Sequence, residues 1–280
     1  MKLGFLTSNV NDILKARAIG FDAVELGAKA LGNPSEAKLD QSTIARAGAL
    51  CEENDIEITA LAYYNSPPKP PNSRSTLKEY RRVFDAAEAL DVRVVACMAG
   101  YDADLSWGAN IQLWADRFGP VAELAEQRGV KIAFENWMGC PGTILSRPVN
   151  AGGCPDLWDA WFKAVKSKAL GIEFDPSHLY WQGIDYLRAA REYAKRIYHV
   201  HAKDTEMLPE PRYRRGAMAR TFRFRIPGYG EIDWPQFIST LVEGGYRGGV
   251  AIEHEDPVFS GKRFDEGLER GLDMLKPLIK

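Results

Sequence analysis

The chain has 280 residues, 45% hydrophobic and 26% charged, with a formal net charge of −2. Its length and apolar content support a substantial buried core, and its near-neutral charge gives no electrostatic case for nucleic acid or an anionic membrane as partner. No apolar run approaches the roughly 20 residues of a membrane span. Met1-Lys2 leads into LGFLTS without the apolar stretch of a secretory signal, so a cytoplasmic protein is expected.

From the N-terminus onward, short apolar runs alternate with amphipathic helical patterns. Strands are predicted over 2–7, 23–27, 57–63, 93–99, 131–136, 170–175, 197–202 and 249–253, and helices over 11–20, 41–54, 76–90, 108–128, 156–168, 184–195, 234–243 and 262–278. The strand runs are rich in Val, Ile and Ala, as expected of parallel strands covered on both faces. Several helices end at a glycine: Gly20, Gly129 and Gly244-Gly245. Eight strands in strict alternation with eight helices predict a single (β/α)8 TIM barrel in the α/β class, for which roughly 250 residues is usual. An open doubly wound sheet is the alternative, but SNVND stands after the first strand in place of a GxGxxG turn. No linker or shift in composition divides the chain, so one domain over 1–280 is expected. The four cysteines, Cys51, Cys97, Cys140 and Cys154, are scattered without a CxxC and read as reduced structural thiols.

In a barrel the active site lies at the C-terminal strand ends. Small residues precede acidic ones there: Ala133 before Glu135, Gly171 before Glu173, Ala251 before Glu253. The longest predicted loops, 65–75, 138–155 and 205–234, also follow strands, where substrate-covering segments sit. Side chains alternate across a strand, so Gly171, Glu173 and Asp175 share one face, as do His199, His201 and Lys203. Four strand ends then carry a candidate metal-ligand set: Glu135 in AFEN, Asp175 in FDPSH, His201 in HVHAKD and Glu253 in AIEHED. Three carboxylates and one imidazole suit Mn²⁺ best, with Mg²⁺ or Co²⁺ also compatible; Zn²⁺ more often takes several His or Cys ligands. Asp175 is equally placed to cap a helix. His199, one pleat deeper than His201, is expected to hydrogen-bond inside the barrel, and His254 to point away from its axis.

FENW, GIEFDPSHL, HVHAKD, PGYGEIDW and AIEHED, in this order, resemble the xylose isomerase-like superfamily of barrel enzymes. Within it the resemblance is to the sugar (phosphate) isomerase/epimerase family, which includes ketose 3-epimerases, inosose dehydratases and epimerases of oxidised glycosides. It implies metal ligation by Glu135, Asp175, His201 and Glu253. It further implies that Glu135 and Glu253 double as the proton-transfer pair and that His178 stands near the substrate. The implied activity is metal-dependent epimerisation or isomerisation of a keto-sugar or oxidised glycoside. One carboxylate removes the proton α to a carbonyl, the cation stabilises the developing enediolate, and the other carboxylate returns a proton.

Further substrate contacts are expected from Lys203, at the mouth of its strand, and from Trp107 and Trp137 as an apolar wall, although packing serves either tryptophan as well. For His178, donation to a substrate oxygen and fixing of a metal ligand both stand. In ketose 3-epimerases an arginine follows the metal histidine within a few residues; here Thr205-Glu206 stand in that region. Six arginines gather instead in RYRRGAMARTFRFR (212–225), which reads either as a solvated loop or subunit contact, or as a lid in which Arg225 meets an anionic or extended polar substrate. A dehydratase of the inosose type would use the same site. An abasic-site endonuclease is less expected, because all four histidines lie at or after His178 and the early strand ends Glu25-Leu-Gly, Tyr63-Tyr64 and Met98-Ala-Gly offer none. A non-catalytic sugar-binding protein would not need two carboxylates beside a metal. A small-molecule sugar is thus the expected partner, with homo-oligomerisation open.

Overall fold

Eight short apolar runs can hide both faces in a closed parallel sheet with helices outside and side chains within. The computed structural model, which describes residues 1–36, 38–64, 73–139, 150–217 and 219–279, shows this arrangement. The strands are β1 (Lys2–Thr7), β2 (Ala23–Gly27), β3 (Glu57–Tyr63), β4 (Val94–Cys97), β5 (Lys131–Glu135), β6 (Leu170–Phe174), β7 (Ile197–Ala202) and β8 (Gly249–Ile252). They close in sequence order, with β1 pairing β8, and every barrel pairing is parallel. The predicted strands are all present. Those predicted over 93–99, 131–136, 170–175 and 249–253 end one or two residues early, because Asn136, Asp175 and Glu253 have already turned out of the ladder.

The main apolar core lies between sheet and helices. Trp114 and Trp161 stack with centroids 5.1 Å apart, and Phe118 and Phe134 pack beside them edge to face at 4.7 Å. Helices begin and end where the sequence offers a cap. Asp40 accepts from Ser42 N at 2.9 Å to open Gln41–Asn54, and Gly129 closes Trp107–Arg128 at φ 65°.

Two expectations are corrected. Ten α-helices occur among the described residues, not eight. The additional ones are Pro176–Tyr180, directly after β6, and Pro209–Arg215. Residues 205–234, expected to be loop, contain an antiparallel hairpin of Asp204–Met207 with Phe222–Arg225. Its cause is plain in FRFR: Phe222 and Phe224 bury one face against Trp181, while Arg223 on the other face makes a bidentate pair with Glu206 directly opposite (2.7 and 2.8 Å). Most of the predicted loops 65–75 and 138–155 lies outside the described residues, as does Cys140. Cys51, Cys97 and Cys154 are free thiols, and Cys97 is buried. No helix among the described residues is long and apolar enough to cross a membrane.

Candidate metal centre

Glu135, Asp175, His201 and Glu253 come from β5, β6, β7 and β8, four consecutive strands of the barrel, and each offers a donor atom within 4.8 Å of the others. Glu135 is the last residue of β5 and is buried. Asp175 caps Pro176–Tyr180 by accepting from Ser177 N at 2.8 Å through one oxygen, which leaves the other free to face the cluster. Capping and ligation, alternatives in the sequence, are thus compatible in one side chain. Asn136 fixes Asp175 further: its amide donates to the Asp175 carbonyl (2.8 Å) and accepts from the Asp175 N–H (2.6 Å). His201 Nδ1 lies 3.0 Å from Glu253 Oε2 and 3.5 Å from Glu135 Oε1.

Lys203 and His178 complete this layer. Lys203, 1% exposed, places Nζ 2.5 Å from Glu253 Oε2, 3.1 Å from Glu255 Oε2 and 3.2 Å from Asp175 Oδ2. His178 Nε2 stands 3.3 Å from Glu135 Oε1 and 3.4 Å from Asp175 Oδ2, with its ring edge-on to Phe224 of the hairpin. The charges shape one another strongly. Burial pushes Glu253 toward protonation, but Lys203 and His201 outweigh it and hold the carboxyl well below its ordinary range. For Glu135, burial and Glu253 push up while the neighbouring His178 and His201 pull down, leaving it at about 2. Burial would discharge Lys203; Glu253, Asp175 and Glu255 keep it charged.

Beneath this layer lies a second polar group that sequence reasoning did not assemble: Glu25, Glu173, His199 and His201. The Tyr64 hydroxyl stands among them, 2.9 Å from Glu25 Oε1, 2.7 Å from Glu173 Oε2 and 3.1 Å from His201 Nε2. His199 bridges Glu173 (3.0 Å) and Thr59 Oγ1 (3.0 Å), as expected of an interior histidine, and burial lowers it to about 4. Burial, then the neighbouring Glu25, raises Glu173 well above the carboxylate range, while His201 and His199 hold Glu25 down despite its burial. A signal was present in the sequence: a lone charge in the middle of AVELG, and another in LGIEF, must find partners once buried.

Arg225 donates to Asp256 Oδ2 at 2.8 Å and also pairs with Glu206, so both carboxylates hold its guanidinium. Trp107 opens its helix and is 48% exposed; Trp137 follows β5 partly buried, its carbonyl accepting from Asn150. His254 stacks on Phe264, outside the barrel interior. Asp204 accepts from Thr205 N, Gly228 N, Ile232 N and Trp234 Nε1 at 2.8–3.0 Å, and so pins the PGYGEIDW segment.

The outer group fits a divalent cation on chemical grounds. Asp175 Oδ2 and His201 Nδ1 are buried and make no hydrogen bond, only ionic contacts with Lys203 and Glu253, and both face the cluster. Three carboxylates and an imidazole are a donor set for a hard or borderline ion. An inosose dehydratase of Clostridium perfringens is 26% identical over 152 residues, which are 52% of this chain and 48% of that protein, so the match spans about half the relative's length. Among solved structures, an IOLI protein with a bound zinc atom superposes with a TM-score of 0.75 at 19% identity, covering 100% of this chain and 98% of that one. A 3-keto-D-glucoside 4-epimerase of E. coli superposes with a TM-score of 0.74 at 16% identity, covering 99% of each chain. At those identities the two structures establish the fold alone. A family profile matches across residues 13–278, and the chain belongs to the xylose isomerase-like TIM barrel family.

Proposed function

We propose that this protein is a divalent-metal-dependent sugar epimerase or isomerase, with its site at the C-terminal ends of β5 to β8, acting by proton transfer at the carbon next to a carbonyl. One observation carries the reading: Glu135 ends β5 and Glu253 directly follows β8, the two outer strands of a four-strand arc, with Asp175 and His201 between them. Two carboxylates at opposite ends of one ligand arc are placed to address opposite faces of a substrate seated between them. Glu135, Asp175, His201 and Glu253 would hold the divalent cation, with Mn²⁺ the best match to the donors, and when bound it would supply Lewis-acid polarisation of the substrate carbonyl.

The chain's own residues do the rest. Glu253, kept ionised by Lys203, takes the α-proton; Glu135, oriented by His178, relays a proton drawn from solvent to the other face, and Glu253 then releases its own to solvent. Lys203 is buried at the mouth with its ammonium beside Glu253, where it stabilises negative charge developing on a substrate oxygen. We assign Arg225 to holding the hairpin through Glu206 and Asp256. A dehydratase is the second reading, favoured by the half-length match to inosose dehydratase; it shares the first proton abstraction and differs in the loss of a β-hydroxyl. An abasic-site endonuclease is disfavoured by the strand ends: the described ends of β1 to β4 carry no histidine.

The test is product identity. Metal-loaded protein is incubated with keto-sugars, oxidised glycosides and inososes, and products are read by NMR. An epimer or isomer made by the native protein, and lost in Glu135→Gln and Glu253→Gln, supports the reading. An unsaturated product would select the dehydratase instead.

A further inference from the structure

His201 belongs to both polar groups through different ring nitrogens. Its Nδ1 faces Glu253, Glu135 and the free oxygen of Asp175 without a hydrogen bond. Its Nε2 is held from the other side, 2.8 Å from Glu25 Oε2 and 3.1 Å from the Tyr64 hydroxyl. A neutral imidazole has one lone pair and one N–H, and whichever nitrogen donates leaves the other to bind. We propose that Glu25 and Tyr64 are positioning residues for the metal centre: they fix His201 as the Nε2–H tautomer, with its Nδ1 lone pair aimed at the cation. This rests on the reading of the outer group as a metal site.

Three features of the fold support it. The β2–β3 ladder shifts register between Val24 and Glu25, and the β6–β7 ladder between Ile172 and Glu173. Irregular registers re-aim side chains, and here they stand at the two glutamates flanking the Tyr64 hydroxyl. Glu25 is wholly buried, reaching His201 across 176 positions of sequence, and both of its oxygens are engaged: Oε2 by His201, Oε1 by Tyr64. Finally, Tyr64 Oη occupies the middle of the inner donor group, so that group works as a bracket for His201 rather than as a second ion site.

The experiment compares Glu25→Gln, Tyr64→Phe and Asp175→Asn with the native protein. Co²⁺ is titrated by its visible absorption, and the four histidine rings are observed by ¹⁵N-selective NMR. Circular dichroism confirms that each variant is folded, and Tyr64→Phe, which removes one oxygen, covers the case in which Glu25→Gln fails to fold. Native protein should bind one Co²⁺ per chain, and Asp175→Asn should abolish that binding. Glu25→Gln and Tyr64→Phe should weaken it by about 10–100-fold, the usual consequence of removing a partner behind a ligating histidine. In metal-free native protein the His201 Nε2–H should give a downfield, exchange-protected signal that both variants lose. Affinities within about twofold of native, with that signal retained, would overturn the proposal. If native protein bound no Co²⁺, the metal reading would fall, and the Nε2–H signal alone would then decide whether Glu25 and Tyr64 hold the ring.

Discussion

Asp204 shows how the segment beside the site is held in place. Its side chain is wholly buried and accepts four hydrogen bonds, two on each oxygen: Thr205 N and Ile232 N on Oδ1, Gly228 N and Trp234 Nε1 on Oδ2. Asp204→Asn keeps the shape but leaves one accepting oxygen, so two donors lose their partner and face an amide NH₂. Hydrogen bonds to a charged group contribute about 1.5–3 kcal/mol each, giving about 3–6 kcal/mol for the pair. Burial already works against the carboxylate and raises its pKa, so neutralising it recovers part of that loss. The net expectation is about 2–4 kcal/mol, a drop in Tm of at least about 4 °C. Guanidinium unfolding followed by far-UV circular dichroism measures it. Asp233→Ala is the comparison, since Asp233 accepts a single cap bond from Gln236 N (3.0 Å) and its loss should cost about 1 kcal/mol. A cost below 1 kcal/mol for Asp204→Asn, or equal costs for the two, would refute the account of Asp204 as a four-donor hub.

Two further outcomes are expected. A Cβ on Gly230 would press into Asp204 Oδ1 and reach 2.5 Å from the Thr205 carbonyl, so Gly230→Ala should destabilise by about 1–3 kcal/mol and alter the near-UV signal of Trp234. Arg225 holds Asp256 below its ordinary value despite burial, so unfolded protein binds the extra proton as acid is added. That contribution is complete above the free aspartate value of about 3.9 and is lost as pH falls through the lower folded value. Asp256→Asn should therefore lower stability at pH 7 by about 3 kcal/mol, the low end for a broken buried pair because Arg225 keeps Glu206, and should flatten the stability loss between pH 4 and pH 2 in denaturant titrations.

The barrel was legible because its signal is local. Each strand is a short, mainly apolar run, several helices carry a cap such as Asp40 or Gly129, and strand–helix alternation without a GxGxxG turn favours a closed barrel. The residues of the outer group were legible for a related reason: a carboxylate or histidine just where an apolar strand stops is marked by its neighbours in sequence. What stayed hidden depends on closure. Tyr64 touches Glu25, Glu173 and His201 only because β2, β3, β6 and β7 curve around one interior, and no local pattern reports on that. The hairpin stayed hidden because its strands are four residues each and separated by a helix, so FRFR read as part of a basic loop. Arg225 was singled out for its charge, yet the carboxylates that hold it, Glu206 and Asp256, lie 19 and 31 positions away.

The most direct test of the central claim is exchange of the α-proton. Metal-loaded protein is incubated in D₂O with a keto-sugar or oxidised glycoside, and the C–H signal beside the carbonyl is followed by NMR. The account predicts deuterium incorporation that requires the divalent ion and falls by at least about 100-fold in Glu253→Gln. Incorporation that persists in Glu253→Gln, or its absence from the whole substrate panel while the ion remains bound, would contradict it and would mean that these carboxylates hold a cation without moving a proton.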